Sequence, residues 1–213
     1  LVVASGAIFS VVGEKSKANE SFAILNDFKV GPTVVSTVDD TNGAGITFNE
    51  GAAKTVDIWE DPQCPVCNTF EQANGEFVED LVRAKKAKVV YHVLSFLGNE
   101  SVSAANAAYC AADEARYLDF HKAMYMVQPV LENSGFYSTE NLIKIGSYAG
   151  LTSQSFIDCV TKGSKLDKVR AAYESMGKYN VQGTPTVFFN GKLWERKNNA
   201  FLPSEFAAAF EAS

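Results

Sequence analysis

Short runs rich in β-branched and aromatic residues predict six β-strands along the chain. They are residues 33–38, 45–48, 54–60, 88–96, 186–189 and 192–195. A turn sequence at 39–43 separates the first two runs, and the dipeptide Asn190-Gly191 separates the last two. Each of these pairs therefore predicts a β-hairpin. The run at 88–96 is mainly apolar, which is typical of a buried strand in a parallel βαβ unit.

Apolar positions at helical spacing predict a long helix that begins at Cys64 and ends near residue 86. A block of further helices is expected between the fourth and fifth strands. Its members are residues 100–118, 120–127, 138–150, 153–161 and 164–176. Ser138 is a strong N-cap residue, and Gly150 is a typical helix stop. Pro203 begins a last helix.

The predicted elements follow the order β-β, β-α-β, a block of helices, and then α-β-β-α. This order predicts an α/β thioredoxin fold with an inserted α-helical domain. We expect residues 1–50 to form an N-terminal extension with a β-hairpin. Residues 51–97 and 177–213 form the thioredoxin-like domain, and residues 98–176 form the insertion.

Pro185 directly precedes a strand that should lie inside the sheet. Proline has no N–H to donate to a neighbouring strand, so it belongs at a strand start or a bulge. In thioredoxin folds a cis-proline occupies this place and faces the active-site disulfide. We therefore expect a cis peptide bond between Thr184 and Pro185, close to Cys64.

The 213 residues suffice for one large domain, or for one domain with an insertion. The formal net charge of −6 argues against a nucleic-acid partner. No uninterrupted apolar segment is long enough to span a bilayer. Residues 1–12 are apolar enough to be the remnant of a signal or membrane anchor, but a terminal segment that packs on the domain explains them equally well.

Cys64 and Cys67 form a Cys-x-x-Cys motif where a predicted strand meets a predicted helix. The free N–H groups and the dipole of a helix N-terminus stabilise a thiolate, so we expect the pKa of Cys64 to lie well below that of a free cysteine. Cys67, one turn later, would close a disulfide and resolve a mixed one. Half of a zinc site is the alternative, although Cys110 and Cys159 offer no second close pair.

Two motifs together, C-P-V-C at residues 64–67 and G-T-P-T at residues 183–186, accompany the long helical block. With them the chain resembles the DsbA-like thiol-disulfide oxidoreductases, and more narrowly the membrane-anchored DsbA-like proteins of actinobacteria. The resemblance covers about residues 54–195. It implies that Cys64 exchanges disulfides with substrates and that Cys67 is its partner.

The resemblance also implies roles for other residues. The substrate groove would include Pro65, Val66, Thr184 and Pro185. Cys110 and Cys159 would form a structural disulfide inside the insertion, and two buried free thiols are the alternative. No cofactor and no metal are expected.

The same resemblance implies an extracytoplasmic protein, anchored in the membrane or secreted through a removed N-terminal segment. It would pass its disulfide to unfolded or reduced exported polypeptides, and a membrane reoxidase of the DsbB or VKOR type would restore it. We expect a monomer. A disulfide reductase or isomerase is the first alternative, and a non-catalytic module that holds zinc or copper through Cys64 and Cys67 is the second.

Many thioredoxin-fold proteins carry a buried acid six residues before the first cysteine, where this chain has Ile58. Glu60 shares the strand face of Ile58 and is the candidate proton relay, against the simpler interpretation of a solvated surface acid. Of the two histidines, His92 is predicted in the core or at an edge of the sheet, and His121 on a helix surface.

Overall fold

The computed structural model describes residues 21–197 and 200–213. The apolar segment at residues 1–12, predicted as an anchor remnant or a packed terminus, lies outside the described residues. Six strands form one mixed sheet in the order β1-β2-β4-β3-β5-β6. Their bounds are β1 Thr37–Asp39, β2 Gly45–Phe48, β3 Thr55–Glu60, β4 Lys88–Val93, β5 Thr186–Phe189 and β6 Lys192–Leu193.

The centre of the sheet is the parallel pair β3 and β4, which confirms the βαβ unit. The other neighbouring pairs are antiparallel. Both predicted hairpins are present, although β1 begins at Thr37 instead of residue 33. The preceding segment is bound to a helical region, because Val34 donates its N–H to the carbonyl of Ala115 at 3.1 Å. The second hairpin turns through Asn190 and Gly191, whose φ values of 50° and 76° are those of a type I′ turn.

The described residues also form seven α-helices. Their bounds are α1 Pro65–Arg83, α2 Asn99–Asp113, α3 Tyr117–Met126, α4 Thr139–Tyr148, α5 Gln154–Lys162, α6 Leu166–Ser175 and α7 Pro203–Glu211. The single helix predicted at 100–118 is wrong at its end, since α2 stops at Asp113 and α3 begins at Tyr117. Ala115 adopts a left-handed φ of 56° there, and Arg116 donates its N–H to the carbonyl of Ala111. Neither glycine nor proline marks this break in the sequence.

Helices cover both faces of the sheet. Ile58 of β3 points into the main core, where the Phe70 ring of α1 lies 5.5 Å from the Phe206 ring of α7. Trp59 points to the opposite face and packs in a smaller cluster with Ala172 of α6. Since side chains alternate along a strand, the residue after Trp59 returns to the face of Ile58. This alternation directs Glu60 into the main core.

Helices α2 to α6 lie between β4 and β5 in the sequence, as predicted for the insertion. A disulfide joins Cys110 of α2 to Cys159 of α5, with 5.9 Å between the Cα atoms. No helix in the described ranges combines the length and apolar character needed to cross a bilayer. The division of the chain into residues 51–97 with 177–213 and residues 98–176 stays a prediction.

Candidate active site

The end of β3 and the start of α1 place the two free cysteines. Cys64 is the N-cap residue of α1, and Pro65 occupies the first helical turn, where the missing N–H of proline is not needed. Cys64 donates its N–H to the carbonyl of Asp61 at 2.9 Å, which closes the turn between strand and helix. Cys67 lies in the first turn of α1. The side chain of Cys64 reaches solvent slightly, at 7% exposure, whereas Cys67 is fully buried.

The thiol of Cys64 is unusually acidic. Hydrogen bonds lower its pKa to about 6, and the largest contribution comes from the Cys67 thiol. The backbone N–H groups of Val66 and Cys67 act in the same direction, while burial opposes them. These two N–H groups belong to the first turn of α1, which is the helix N-terminus that the motif predicts.

The thiol of Cys67 has the opposite tendency. Burial raises its pKa well above the ordinary cysteine value, and the nearby negative charges of the Cys64 thiolate and Glu60 add to this effect. Near neutral pH the reduced pair therefore holds one proton on Cys67 and a thiolate at Cys64. This division of roles is what stepwise disulfide exchange requires.

The loop before β5 completes the site. The peptide bond between Thr184 and Pro185 is cis. The Cys64 thiol approaches the carbonyl oxygen of Thr184 at 3.6 Å, so residues 120 positions apart in the sequence meet at the sulfur. Val66, adjacent to Cys64, is 42% exposed. The structure thus brings Cys64, Thr184 and Pro185 together; their assignment to a substrate groove, with Pro65 and Val66, stays a prediction.

Asp61 is a buried carboxylate that the sequence analysis missed. It accepts hydrogen bonds from the Gln63 N–H at 2.9 Å, the Leu97 N–H at 3.2 Å and the Ser101 hydroxyl at 2.6 Å. Burial raises its pKa to about 6, although all three donors oppose that shift. The aspartate before proline was a visible turn signal. Its partners Leu97 and Ser101 are too distant in sequence to be predicted.

A polar loop after α3 supports the same turn. Gln128 donates its side-chain amide to the carbonyls of Pro62 and Cys64, at 2.8 and 3.0 Å. Asn133 donates its N–H to the Gln63 side chain at 2.6 Å. The inserted helical segment therefore holds the backbone on both sides of the reactive cysteine.

Glu60 is not a solvated surface acid, because only 1% of it is exposed. Its carboxylate lies 2.6 Å from Nε2 of His121. His121 is buried as well, so the prediction that it lies on a helix surface is wrong. The face of helix α3 that carries His121 packs against the end of β3 and against α1. The Tyr117 hydroxyl of the same helix donates a hydrogen bond to Glu60 at 3.4 Å. His92 is buried and stacked on Trp59, so of the two predicted places, the core and a sheet edge, it occupies the core.

The carboxylate of Glu71 on α1 completes this buried group, with 3.8 Å between its Oε2 and Nδ1 of His121. Burial disfavours a charge on His121, but Glu60 and Glu71 outweigh it and raise the pKa of the imidazole. Burial also raises the pKa of Glu71. A charged histidine beside Glu60 is the arrangement that these contacts favour.

Comparison with known proteins identifies the family of this site. Residues 43–205 match a protein-family model described as thioredoxin. The chain belongs to the thioredoxin family. Within this family, reduced DsbA from Mycobacterium tuberculosis is similar over 86% of this chain and 89% of its own, with 27% identity and a TM-score of 0.65. The reduced disulfide-bond oxidoreductase DsbG of the same organism covers 86% and 84%, with 26% identity and a TM-score of 0.64.

MdbA, a thiol-disulfide oxidoreductase from Actinomyces oris, shares the fold with a TM-score of 0.70 at 24% identity, over 81% of this chain and 89% of that one. Among curated proteins, the serine/threonine-protein kinase PknE of Mycobacterium tuberculosis is 29% identical over 152 residues. That alignment covers 64% of this chain and 27% of the kinase. The similarity is therefore confined to one segment of the kinase, which is much longer than the aligned region.

The thioredoxin-family fold and the cysteine pair identify this domain as a DsbA-like thiol-disulfide oxidoreductase. The motif that predicted it from the sequence is intact at the N-terminus of α1. The family resemblance pointed to Glu60 as a candidate, but it did not indicate that Glu71 and His121 lie beside it.

Proposed function

We propose that this protein is an extracytoplasmic oxidase, which donates the disulfide between Cys64 and Cys67 to exported polypeptides. The observation that carries the proposal is the hydrogen-bonded environment of Cys64. Those hydrogen bonds stabilise the thiolate of the reduced protein, and they are weaker or absent for a neutral disulfide sulfur. A site that favours the reduced form gives up its disulfide readily, which makes the protein oxidising.

Disulfide donation proceeds in two exchanges. A substrate thiolate attacks Sγ of Cys64, the bond between Cys64 and Cys67 breaks, and Cys67 leaves as a thiolate that takes up a proton. A second substrate thiolate then attacks the substrate sulfur of the mixed disulfide and releases the Cys64 thiolate. The substrate loses two electrons, and the protein gains them. Glu60, whose negative charge acts on Cys67, is the proposed proton relay: its carboxylate would take a proton from the charged His121 beside it and pass it to the leaving sulfur.

The proposed substrate groove lies beside the accessible edge of Cys64 and includes Pro65, Val66, Thr184 and Pro185. An extended polypeptide would pair with the backbone of Thr184 as a short added strand. Apolar contacts are available from further exposed side chains around the turn. These side chains are Phe96, Val130 and Leu131. Phe96 precedes Leu97, whose carbonyl accepts a hydrogen bond from Asn133. Val130 and Leu131 lie in the loop between Gln128 and Asn133, and Gln128 binds the carbonyl of Cys64.

The cellular setting is part of the proposal. A disulfide such as Cys110–Cys159 persists in oxidising compartments and is rare in the cytosol, which supports an extracytoplasmic location. Each donated disulfide leaves the protein reduced, so a membrane reoxidase of the DsbB or VKOR type would have to renew it. We propose that the protein acts as a monomer.

The reduction potential of the Cys64–Cys67 pair tests the direction of the reaction. After equilibration in glutathione buffers, we expect a potential between about −180 and −120 mV, in the range of isomerases and strong oxidases. The protein should also oxidise a reduced, unfolded disulfide protein, and Cys64→Ser should abolish that activity. A potential near about −270 mV, the value of thioredoxin, would identify a reductase instead.

A further inference from the structure

Three potential metal ligands converge at the end of β3, where α1 and α3 pack against it. One ligand atom from each of Glu60, Glu71 and His121 lies within 4.8 Å of the other two. His121 lies 2.6 Å from Glu60 through Nε2, which is a hydrogen-bond distance. Its Nδ1 lies 3.8 Å from Glu71 Oε2, which is too long for a hydrogen bond. One ion can bond only one nitrogen of His121, and bonds of about 2.1 Å place two tetrahedral ligands about 3.4 Å apart. The three ligand atoms, which lie within 4.8 Å of one another, would therefore have to rearrange around an ion.

Two carboxylate oxygens in this group lack hydrogen-bond donors. Glu60 Oε2 and Glu71 Oε1 are both buried without a hydrogen-bond partner. The side chains of Glu60 and Glu71 are 1% and 9% exposed, so bulk water does not satisfy these atoms. Buried carboxylate oxygens without donors are costly unless a proton or a cation compensates them. The unsatisfied oxygens therefore point to a cation as the missing partner.

A cavity gives the group access from outside. It measures about 360 Å³ and lies between α1 and α3. Glu71 and His121 line it together with Tyr91 and Tyr125. An ion could enter here, and water could complete its coordination on the cavity side, as in zinc sites with three protein ligands and one open position.

We propose that Glu60, Glu71 and His121 form a binding site for one divalent transition-metal ion. An imidazole with two carboxylates suits zinc or manganese, whereas calcium and magnesium prefer oxygen ligands alone. The ion would displace the proton that His121 holds beside Glu60, because only a neutral imidazole binds a metal. The site uses no cysteine. It is therefore separate from the zinc or copper site that the Cys-x-x-Cys motif could form. It shares Glu60 with the proposed function, so a bound ion would withdraw this carboxylate from proton transfer to Cys67.

Zinc titration of the oxidised protein tests this site, because the closed Cys64–Cys67 disulfide removes the competing thiolates. Isothermal titration calorimetry should show one bound Zn²⁺ per chain. Glu71→Gln keeps the shape of the side chain and should weaken binding at least about tenfold. The matched control is Glu76→Gln, which removes an exposed acid on the same helix and cavity and should leave the affinity unchanged.

A crystal of the oxidised protein soaked in Zn²⁺ provides a second measurement that does not depend on a variant. An anomalous-scattering peak within bonding distance of His121 and both carboxylates would support the site. The absence of stoichiometric binding, a peak elsewhere, or an equal loss in Glu76→Gln would overturn it. In that case a proton shared between Glu60 and Glu71 satisfies the two oxygens. The reduction potential of Cys64–Cys67, measured in the absence of zinc, tests the proposed function separately from these outcomes.

Discussion

At the scale of single residues, two chemically identical side chains acquire opposite properties within one helical turn. Cys64 caps α1 and receives hydrogen bonds, which lower the pKa of its thiol to about 6. Cys67 lies inside the core, where burial raises the pKa of its thiol. Both cysteines lie at the helix N-terminus, and the difference comes from hydrogen bonds and burial. Cys64 accepts hydrogen bonds from the Cys67 thiol and from first-turn N–H groups, whereas Cys67 is fully buried. The active cysteine is thus selected by its place in the fold.

The first prediction concerns the titration of Cys64. The ultraviolet absorbance of its thiolate should have a midpoint near pH 6. This lies well below the pKa of an ordinary cysteine, which is about 8.5. A lowered folded-state pKa stabilises the reduced protein fully above the unfolded-state value, and this stabilisation is lost as the pH falls through about 6. The free energy of unfolding of the reduced protein should follow that trend, and Cys64→Ala should abolish it.

Cys67→Ala is the companion variant for this titration. It removes the largest of the hydrogen bonds that lower the pKa, so the midpoint of Cys64 should rise. A wild-type midpoint near the ordinary cysteine pKa of about 8.5 would refute the stabilised thiolate and, with it, the main support for an oxidase.

At the scale of elements, the turn between β3 and α1 depends on helices that follow much later in the chain. Asp61 accepts a hydrogen bond from Ser101 of α2, and Gln63 donates its side-chain amide to the same hydroxyl at 2.9 Å. Gln128, beyond α3, binds the carbonyl of Cys64. The inserted helices therefore position the reactive turn as well as cover it.

Ser101→Ala tests this dependence. The variant removes a buried hydroxyl that donates to a carboxylate and accepts from an amide, so the free energy of unfolding should fall by about 1–3 kcal/mol. Chemical denaturation measures the change. Ser103→Ala on the exposed side of the same helix is the matched control and should stay within about 0.5 kcal/mol. Equal effects of the two substitutions would show that the Asp61 contact contributes nothing specific.

At the scale of the whole molecule, the helical block is closed by the disulfide between Cys110 and Cys159. The two residues are 49 positions apart, and their bond connects the first helix of the block to its fourth. A cross-link over a segment of this length restricts the unfolded chain far more than the folded one. The disulfide therefore stabilises the inserted helices and does not contact the exchanging cysteines.

The double substitution Cys110→Ala with Cys159→Ala should lower the free energy of unfolding by about 2–4 kcal/mol. Denaturant unfolding of the oxidised protein measures this loss. The potential of the Cys64–Cys67 pair should stay unchanged, because neither alanine touches the active site. Mapping of unreduced peptides provides an independent check, since two free thiols at these positions would contradict the disulfide.

The sequence by itself determined the features that depend on near neighbours. The Cys-x-x-Cys motif, the Asn190-Gly191 turn and the Ser138 cap all act through backbone groups a few residues away. Strand runs and helix periodicity likewise predicted the thioredoxin-family topology. The end of α2 was missed, because a left-handed alanine carries no glycine or proline signal.

Only the tertiary structure decided which polar groups are buried together. Glu60 and His121 are 61 positions apart, and Asp61 and Ser101 are 40 apart. A strand or helix pattern shows which face a residue occupies but not which helix covers that face. Glu60 is therefore indistinguishable from a surface acid until α3 packs against it. Burial then removes the solvent that would screen its charge, and the same carboxylate gains influence over Cys67 and His121.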